Sequence, residues 1–349
     1  MKNLRHLSPD ALRELVHSLD EKPFRAQQIH EWLWHKGAAS IDAMSNLSKS
    51  FRDRLKAEYD LMALQVHHAQ YSDDGTIKNR FITHDGHFVE GVLIPTETRM
   101  TACVSSQVGC SLSCKFCATG YLDRKRNLDF DEIVDQVVLL NQQAEKHFGK
   151  RLTNIVFMGM GEPLLNYKSM MKAIEMITSP DGLGMSPTRI TVSTAGIAKM
   201  IRQLADDNVR FNLALSLHAA TDAQRNEIMP INESNRLSSL VEALNYFYTK
   251  TKNPITFEYI LFDQFNDSEK DADHLIKICR KVPAKVNIIE YNPIGMAEYR
   301  KPSEENVQRF MDYLAKHRVN ARLRRSRGKD IDAACGQLAN VDTPTSPAL

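Results

Sequence analysis

Cys110-Ser-Leu-Ser-Cys114-Lys-Phe-Cys117 sets three thiols at C-x3-C-x2-C spacing, with Gly109 before them and Thr119-Gly120 after. Glycine, serine and lysine around the triplet make a loop composition rather than one face of a packed helix. Cysteine thiolate is the usual ligand to iron in a [4Fe–4S] cluster, and three thiolates leave the fourth iron open to another molecule. A structural zinc site closes with four ligands drawn from paired Cys or Cys/His spacings. No such pair is present, and the nearest other cysteine is Cys103. The triplet therefore reads as metal ligands, Cys110, Cys114 and Cys117, for an open-site cluster.

Working outward, short β-branched and apolar runs alternate with helical segments. The runs are Thr101–Ser105, Asn154–Met158, Arg189–Ser193, Phe211–Leu217, Ile255–Leu261 and Lys285–Glu290. Between them the spacing predicts helices over 130–147, 167–177, 197–207, 237–249 and 267–280, and a last helix over 304–317 precedes a short run at 321–325. Strand and helix in alternation imply parallel strands with crossover helices. The expected fold class is α/β, with six such units suiting a partial (β/α)6 barrel better than a closed one of eight. Chemistry then belongs at the C-terminal ends of the strands, where the cysteine triplet falls.

The later strands end in small polar residues at the same rim. Gly159-Met160-Gly161-Glu162-Pro163 follows the second strand, Ser193-Thr194-Ala195-Gly196 the third, Ser216-Leu217-His218 the fourth and Tyr291-Asn292-Pro293 the sixth. Each alone reads as turn chemistry. Together they mark Gly161, Glu162, Ser193, Ser216, Leu217, His218 and Asn292 as candidate cofactor-binding residues, with Glu162 offering a carboxylate to an ammonium group.

The flanks add two modules. Residues 1–60 read as three helices, beginning at Ser8-Pro9-Asp10 and running near 25–36 and 49–58. Residues 61–100 carry a hairpin, Lys78–Thr83 and Phe88–Ile94, turned by His84-Asp85-Gly86-His87. The core spans 101–295 and a C-terminal segment 296–349, whose end, Asp342–Leu349, has the composition of a disordered tail. Net charge is only +2, so any polyanion surface is local; candidates are the Arg322–Lys329 cluster, Arg124-Lys125-Arg126 and the N-terminal module. The N-terminus lacks the apolar core of a signal peptide, no apolar run is long enough to span a membrane, and clustered cysteines suit a reducing cytoplasm.

Cys110–Cys117 resembles the signature of the radical S-adenosylmethionine (SAM) superfamily, and Gly159–Pro163 resembles that superfamily's site for the SAM amino group. A narrower match is carried by Phe88-Val-Glu90-Gly-Val-Leu-Ile-Pro95, Cys103-Val-Ser-Ser-Gln-Val-Gly-Cys110 and Arg327-Gly-Lys-Asp330-Ile-Asp-Ala-Ala-Cys335-Gly-Gln-Leu338. These are similar to the RNA adenine-C2 methyltransferases of RlmN type, and the resemblance covers most of residues 88–340. It implies a partial barrel of the radical SAM type, a [4Fe–4S] cluster, two SAM molecules per turnover, and 23S rRNA (adenine 2503) and tRNA (adenine 37) as substrates. It also implies an RNA-binding role for residues 1–60, an electron donor for the cluster and a dithiol reductant. A monomer is the default expectation.

The resemblance further implies a reaction. C2 of adenine lies between two ring nitrogens and is too electron-poor for an ordinary polar methyl transfer. Cys335 would take a methyl group from one SAM, and a deoxyadenosyl radical from the second would remove hydrogen from it. The resulting methylene radical adds to C2. Attack of Cys103 on the Cys335 sulfur then frees the product and leaves a disulfide, which thiol–disulfide exchange resets. Glu90 is the only charge between Phe88 and Pro95; a carboxylate among apolar neighbours has a raised pKa and suits removal of the C2 proton, a role Cys103 also fits. Cys335 sits just after Arg322, Arg324, Arg325, Arg327 and Lys329, a setting that favours thiolate and attracts phosphate. Cys279 shares helical spacing with Leu275 and Ile276 and reads as packing.

Three other readings stay open. The sister class methylates adenine C8 with similar cysteines, although Gly161-Glu162-Pro163-Leu164-Leu165-Asn166 looks more like the C2 group. Another radical SAM reaction, such as enzyme activation, leaves Ala333-Ala-Cys335-Gly-Gln337 unexplained. A non-catalytic iron–sulfur protein that binds RNA or senses redox state predicts a cluster without SAM cleavage.

Overall fold

The computed structural model describes residues 2–340; the tail Asp342–Leu349 lies outside the described residues. Ten strands form one sheet. They are β1 Leu64–Tyr71, β2 Ile77–Thr83, β3 Phe88–Pro95, β4 Met100–Cys103, β5 Asn154–Phe157, β6 Ile190–Thr194, β7 Asn212–Ser216, β8 Ile255–Leu261, β9 Ala284–Glu290 and β10 Ala321–Arg324. Their spatial order is their chain order, from β1 at one edge to β10 at the other.

The first three strands and β4 pair antiparallel, and β4 through β10 are parallel throughout. Each parallel step is made through a helix: α4 Phe130–Phe148, α5 Tyr167–Thr178, α6 Ala198–Asp206, α8 Leu237–Thr251, α9 Glu269–Cys279 and α10 Glu304–Lys316. These are the six expected β/α units, with β10 added at the open edge. A short helix the spacing did not predict, α7 Asp222–Ile228, precedes α8. The middle strands bury both faces, as parallel strands covered by crossover helices do. Residues from β3, β4, β5, β6, β8, β9 and β10 line one cavity of about 390 Å³, so the sheet curls around a lumen.

The N-terminal module holds α1 Pro9–Ser18, α2 Phe24–His30 and α3 Lys49–Glu58. The Ser8 and Ser48 hydroxyls accept the Ala11 and Phe51 N–H groups and cap α1 and α3. Leu12, Val16, Ile29, Leu33, Phe51 and Leu55 form the buried face. Arg5 fastens the module to the barrel. It is fully buried, donates to the carbonyls of Leu61 (3.1 Å) and Ala38 (3.0 Å), and pairs with Asp135 of α4. Burial pulls its pKa down to about 10.

The C-terminal segment crosses the gap between β10 and the hairpin. The Gly328 N–H donates to Asp74 (2.9 Å), the Ser72 hydroxyl to Asp330 (2.6 Å) and the Lys78 ammonium to the Asp332 carbonyl (3.4 Å). The lumen is thereby covered on its lateral side. No helix among the described residues is long and apolar enough to cross a membrane.

Candidate active site

The cysteine loop leaves the end of β4 through Gln107–Val108, which pairs with Arg126–Asn127. Gly109 has φ +74°, and a Cβ there would collide with the Asp123 backbone, so only glycine makes this turn. Cys110, Cys114 and Cys117 rest in an apolar bowl that includes Leu112, Phe116, Ile228, Met229, Ile260 and Phe262. Burial pushes the Cys110 thiol up to about 11 and the Cys114 thiol well above its ordinary value; charge on the neighbouring cysteines adds to both shifts, and Arg225 offsets part of that of Cys114. Such thiols need a positive partner before they ionise. Among the described residues no three donors converge as ligands of a single ion do. Three thiols around one apolar bowl are the donor set that would hold three irons of a [4Fe–4S] cluster.

Beside the thiols lies a second cavity, of about 150 Å³, walled by Gly159, Gly161, Glu162, Ser193, Ser216, His218 and Ile260 among others. Gly161 has φ +93°, and an added Cβ would sit 2.5 Å from that of Gln107. Glu162 is buried and its carboxylate accepts the N–H groups of Leu164 (3.0 Å) and Ala195 (2.7 Å). Burial still raises its pKa, which those hydrogen bonds partly counter. The hydroxyls of Ser193 and Ser216 are 3.3 Å apart. His218 Nδ1 accepts the Ile260 N–H (3.2 Å), and burial brings its pKa down to about 3, so the ring is neutral with its proton on Nε2.

Two of the candidate cofactor residues stand elsewhere. The Leu217 side chain belongs to the barrel core, and its backbone carbonyl accepts Arg225 Nε (3.1 Å). Asn292 donates its amide to the Cys335 carbonyl (3.3 Å) and so positions the C-terminal cysteine.

Cys335 is brought onto the cysteine loop from the far end of the chain. The Ala118 N–H donates to the Gly336 carbonyl (2.7 Å), and the Thr119 hydroxyl to the Leu338 carbonyl (2.6 Å). Gly336 has φ +86° and would crowd the Phe116 carbonyl with any side chain. Cys335 lines both the lumen and the smaller cavity, and Cys103 lines the lumen below it. The cysteines are all free. Burial, reinforced by Cys335, pushes the Cys103 thiol up to about 12.

Glu90 is buried as the strand pattern predicts, and burial raises its pKa. Its carboxylate, however, is turned to the C-terminal segment, accepting the N–H groups of Ala339 (2.8 Å) and Asn340 (3.2 Å), with Lys78 Nζ 3.8 Å away. It is not part of the cavity wall.

Glu258 and Arg225 escaped the sequence reading, and Arg324 was read only as a member of the basic cluster before Cys335. Arg324 lines both cavities, and its acidic neighbours, Cys335 first and then Glu258 and Cys103, raise its pKa against the effect of burial. Glu258 holds it at 3.4 Å and accepts the Asn287 amide at 2.6 Å, while Arg322 Nε reaches Asn287 at 2.6 Å. Glu258, a lone charge in the apolar run Ile255–Leu261, was findable by the argument applied to Glu90. Arg225 had no such signal; from helix α7 it binds the carbonyls of Ala195, Ser216 and Leu217 and fixes two cofactor loops.

Most members of the basic runs have acidic neighbours within the protein. Arg126 is spent on Asp85 and Glu132 with four contacts of 2.7–2.8 Å. Lys125 lies 3.6 Å from Asp123. In the C-terminal cluster Lys329 pairs with Glu290 (2.8 Å), Arg327 with Asp74 (3.8 Å) and Arg325 with Glu290 (3.9 Å).

Comparison with known proteins bears on the family and the fold. Residues 2–61 match the model of the ribosomal RNA large subunit methyltransferase N-terminal domain, and residues 104–276 that of the radical SAM superfamily. The chain is 53% identical to the "Probable dual-specificity RNA methyltransferase RlmN" of Flavobacterium psychrophilum, over 98% of each chain. It is 45% identical to the "Dual-specificity RNA methyltransferase RlmN" of an Anaeromyxobacter species, over 99% of this chain and 92% of that one. A crystal structure of a radical SAM methyltransferase from Sphaerobacter thermophilus superposes with a TM-score of 0.92 at 39% identity, covering 97% of this chain and 99% of that one.

Proposed function

Since the chain belongs to the RlmN family of dual-specificity RNA methyltransferases, within the radical SAM superfamily, we propose that it methylates C2 of adenine 2503 in 23S rRNA and of adenine 37 in tRNA, through a methylated cysteine. The observation that carries this reading is the pair of hydrogen bonds from Ala118 and Thr119 to the Cys335 turn. They set a thiol against the cysteine loop, where a methyl group on sulfur would meet a radical generated there. A non-catalytic cluster protein has no use for that placement.

Cys110, Cys114 and Cys117 would hold the cluster, and Glu162 would receive the SAM ammonium group, with Ser193, Ser216, His218 and the Leu217 main chain along the rest of the ligand. When bound, cluster and SAM supply the electron and the hydrogen-abstracting radical. The chain supplies the carbon carrier. Cys335 Sγ takes the methyl group and joins it to C2; Asn292 and the backbone bonds keep that sulfur between the two cavities. Once the adduct has lost the C2 proton and one electron, which the bound cluster would accept, the Cys103 thiolate attacks the Cys335 sulfur; the S–CH2 bond breaks, the released carbon takes a proton to become the methyl group, and a Cys103–Cys335 disulfide is left for a dithiol reductant to open. With its pKa near 12, Cys103 begins as a thiol and needs its proton removed before it attacks. The C2 proton would pass to Glu90 or to Cys103; Cys103 lines the lumen, whereas the Glu90 carboxylate accepts the Ala339 and Asn340 N–H groups behind its wall.

Segments 1–60, 61–100, 101–295 and 296–349 divide the labour in this reading into RNA binding, connection, radical generation and delivery of Cys335. The test is the mass of the Cys335 peptide after incubation with SAM and no RNA. One added methyl group supports the assignment, and an unmodified peptide from active enzyme removes it.

A further inference from the structure

The sequence-adjacent cations largely have acidic neighbours, whereas cations without one lie elsewhere on the surface. They gather at the N-terminal ends of the parallel strands, the face opposite the cysteine loop. Arg99 stands immediately before β4, Arg189 before β6, Arg210 two residues before β7, Lys252 three before β8, Lys285 at the start of β9 and Arg318 three before β10. All six are exposed. Among the described residues none has a carboxylate within 4.0 Å. Arg151, ahead of β5, is the exception, 3.2 Å from Glu145. The other carboxylates near this face, Glu97, Asp206 and Asp207, leave the collar unpaired; Asp206 accepts the Tyr246 hydroxyl and Asp207 that of Tyr167. Lys252, Lys285 and Arg318 also share a groove of about 440 Å³ with Arg280 and His317, and no acidic side chain lines it.

The lumen leads to the same face. Its wall starts at Thr101, Asn154, Thr191, Thr256 and Arg322, each the first or second residue of its strand, and ends at Cys335 and Cys117. A cavity of about 390 Å³ is of the size that holds a nucleoside. The lateral gap is covered by the C-terminal segment, and the upper end by the cysteine loop and the cofactor cavity. The lower mouth is the path that remains.

We infer that substrate RNA docks its phosphates on this cationic collar and that the target base enters the lumen from the N-terminal ends of the strands. The inference rests on the reading of the chain as an RNA-modifying enzyme. A ring of cations around the mouth would hold the backbone while one unstacked base passes inside, the arrangement that chemistry on a base requires. No run of basic residues announces this surface, because its members lie at the start of successive strands.

The test compares two variants. One replaces the collar (Arg189→Ser, Arg210→Ser, Lys285→Ser and Arg318→Ser together, and Arg189→Ser or Lys285→Ser singly); the other replaces the opposite rim (Arg124→Ser with Lys125→Ser). The probes are a fluorescent, unmodified 23S rRNA hairpin transcript and a tRNA transcript, bound at 50–200 mM salt. Methylation of Cys335 by SAM without RNA is followed in parallel. The collar variant should bind RNA at least about tenfold more weakly, with a salt slope shallower by about 3–4 for four lost phosphate contacts. The single variants should move in the same direction, the KM for RNA should rise, and Cys335 methylation should stay at the wild-type rate. Wild-type binding by the collar variant, with loss in the rim variant, would overturn the inference and place RNA on the cluster side. Wild-type enzyme that methylates Cys335 but neither binds nor methylates RNA would overturn the RNA reading itself, and this inference with it.

Discussion

Ala118 and Gly336 are joined by a 2.7 Å hydrogen bond from the N–H of one to the carbonyl of the other. It couples the loop of the three cysteines to the turn that presents Cys335. The cysteine triplet and the turn of Cys335 are thus one structural unit built from distant parts of the chain, and the Thr119–Leu338 bond doubles the link.

Cys103→Ala should trap the reaction. Cys335 would still take a methyl group and join it to RNA, with no second thiol to open the link. The expected outcome is a protein–RNA adduct that survives denaturing electrophoresis and is absent from the wild type and from Cys335→Ala.

Glu162→Gln should weaken SAM binding. Both carboxylate oxygens accept backbone N–H groups, and an amide replaces one acceptor with a donor while removing the charge that an ammonium group meets. Loss of a hydrogen bond to a charged group is worth about 1.5–3 kcal/mol, so equilibrium dialysis should show a Kd raised by about 10- to 100-fold, with the cluster's visible absorbance retained.

Glu290 should give the C-terminal segment an acid sensitivity. Burial alone would raise its pKa, but Lys329 at 2.8 Å and Lys301 at 3.0 Å outweigh this and hold it at about 2. A depressed carboxylate contributes stability above its unfolded pKa and loses it as pH falls towards the folded value. The half-exposed lysines reduce the contribution to about 1–2 kcal/mol. Glu290→Gln should therefore lower Tm at pH 7, and the gap from wild type should shrink as pH drops from about 4.5 towards 2.

Arg5→Met should loosen the N-terminal module. It leaves Asp135 with the Ala63 and Leu64 N–H groups (2.5 and 3.2 Å) and no cation. Breaking a buried pair costs about 3–5 kcal/mol, with the surviving donors placing this case near the lower end. Limited proteolysis should cut within residues 1–60 of the variant at protease levels that spare the wild type.

The barrel was legible because its strands are apolar runs set between amphipathic helices, with polar turn residues at one rim. β1 was missed for the opposite reason. Leu64-Gln-Val-His-His-Ala-Gln-Tyr71 is a half-exposed edge strand without an apolar run. The cavity-lining residues Glu162, Ser193, Ser216 and His218 were readable from their place after strands, but the hydrogen bonding of Asn292 to Cys335 was not. Position along the chain does not report what a side chain faces. For the same reason Arg126 read as a phosphate contact while the fold pairs it with Asp85 and Glu132. Glu90 read as buried, which it is; its attachment to Ala339 and Asn340 depends on a segment about 250 residues away.

The central claim, that Cys335 carries the methyl carbon to adenine C2, is tested most directly by nucleoside mass spectrometry after an anaerobic reaction. The components are reconstituted enzyme, methyl-labelled SAM, a reductant and unmodified 23S rRNA or tRNA. The account predicts labelled 2-methyladenosine that disappears with Cys335→Ala. A product methylated at C8, or methylation that persists in Cys335→Ala, would contradict it.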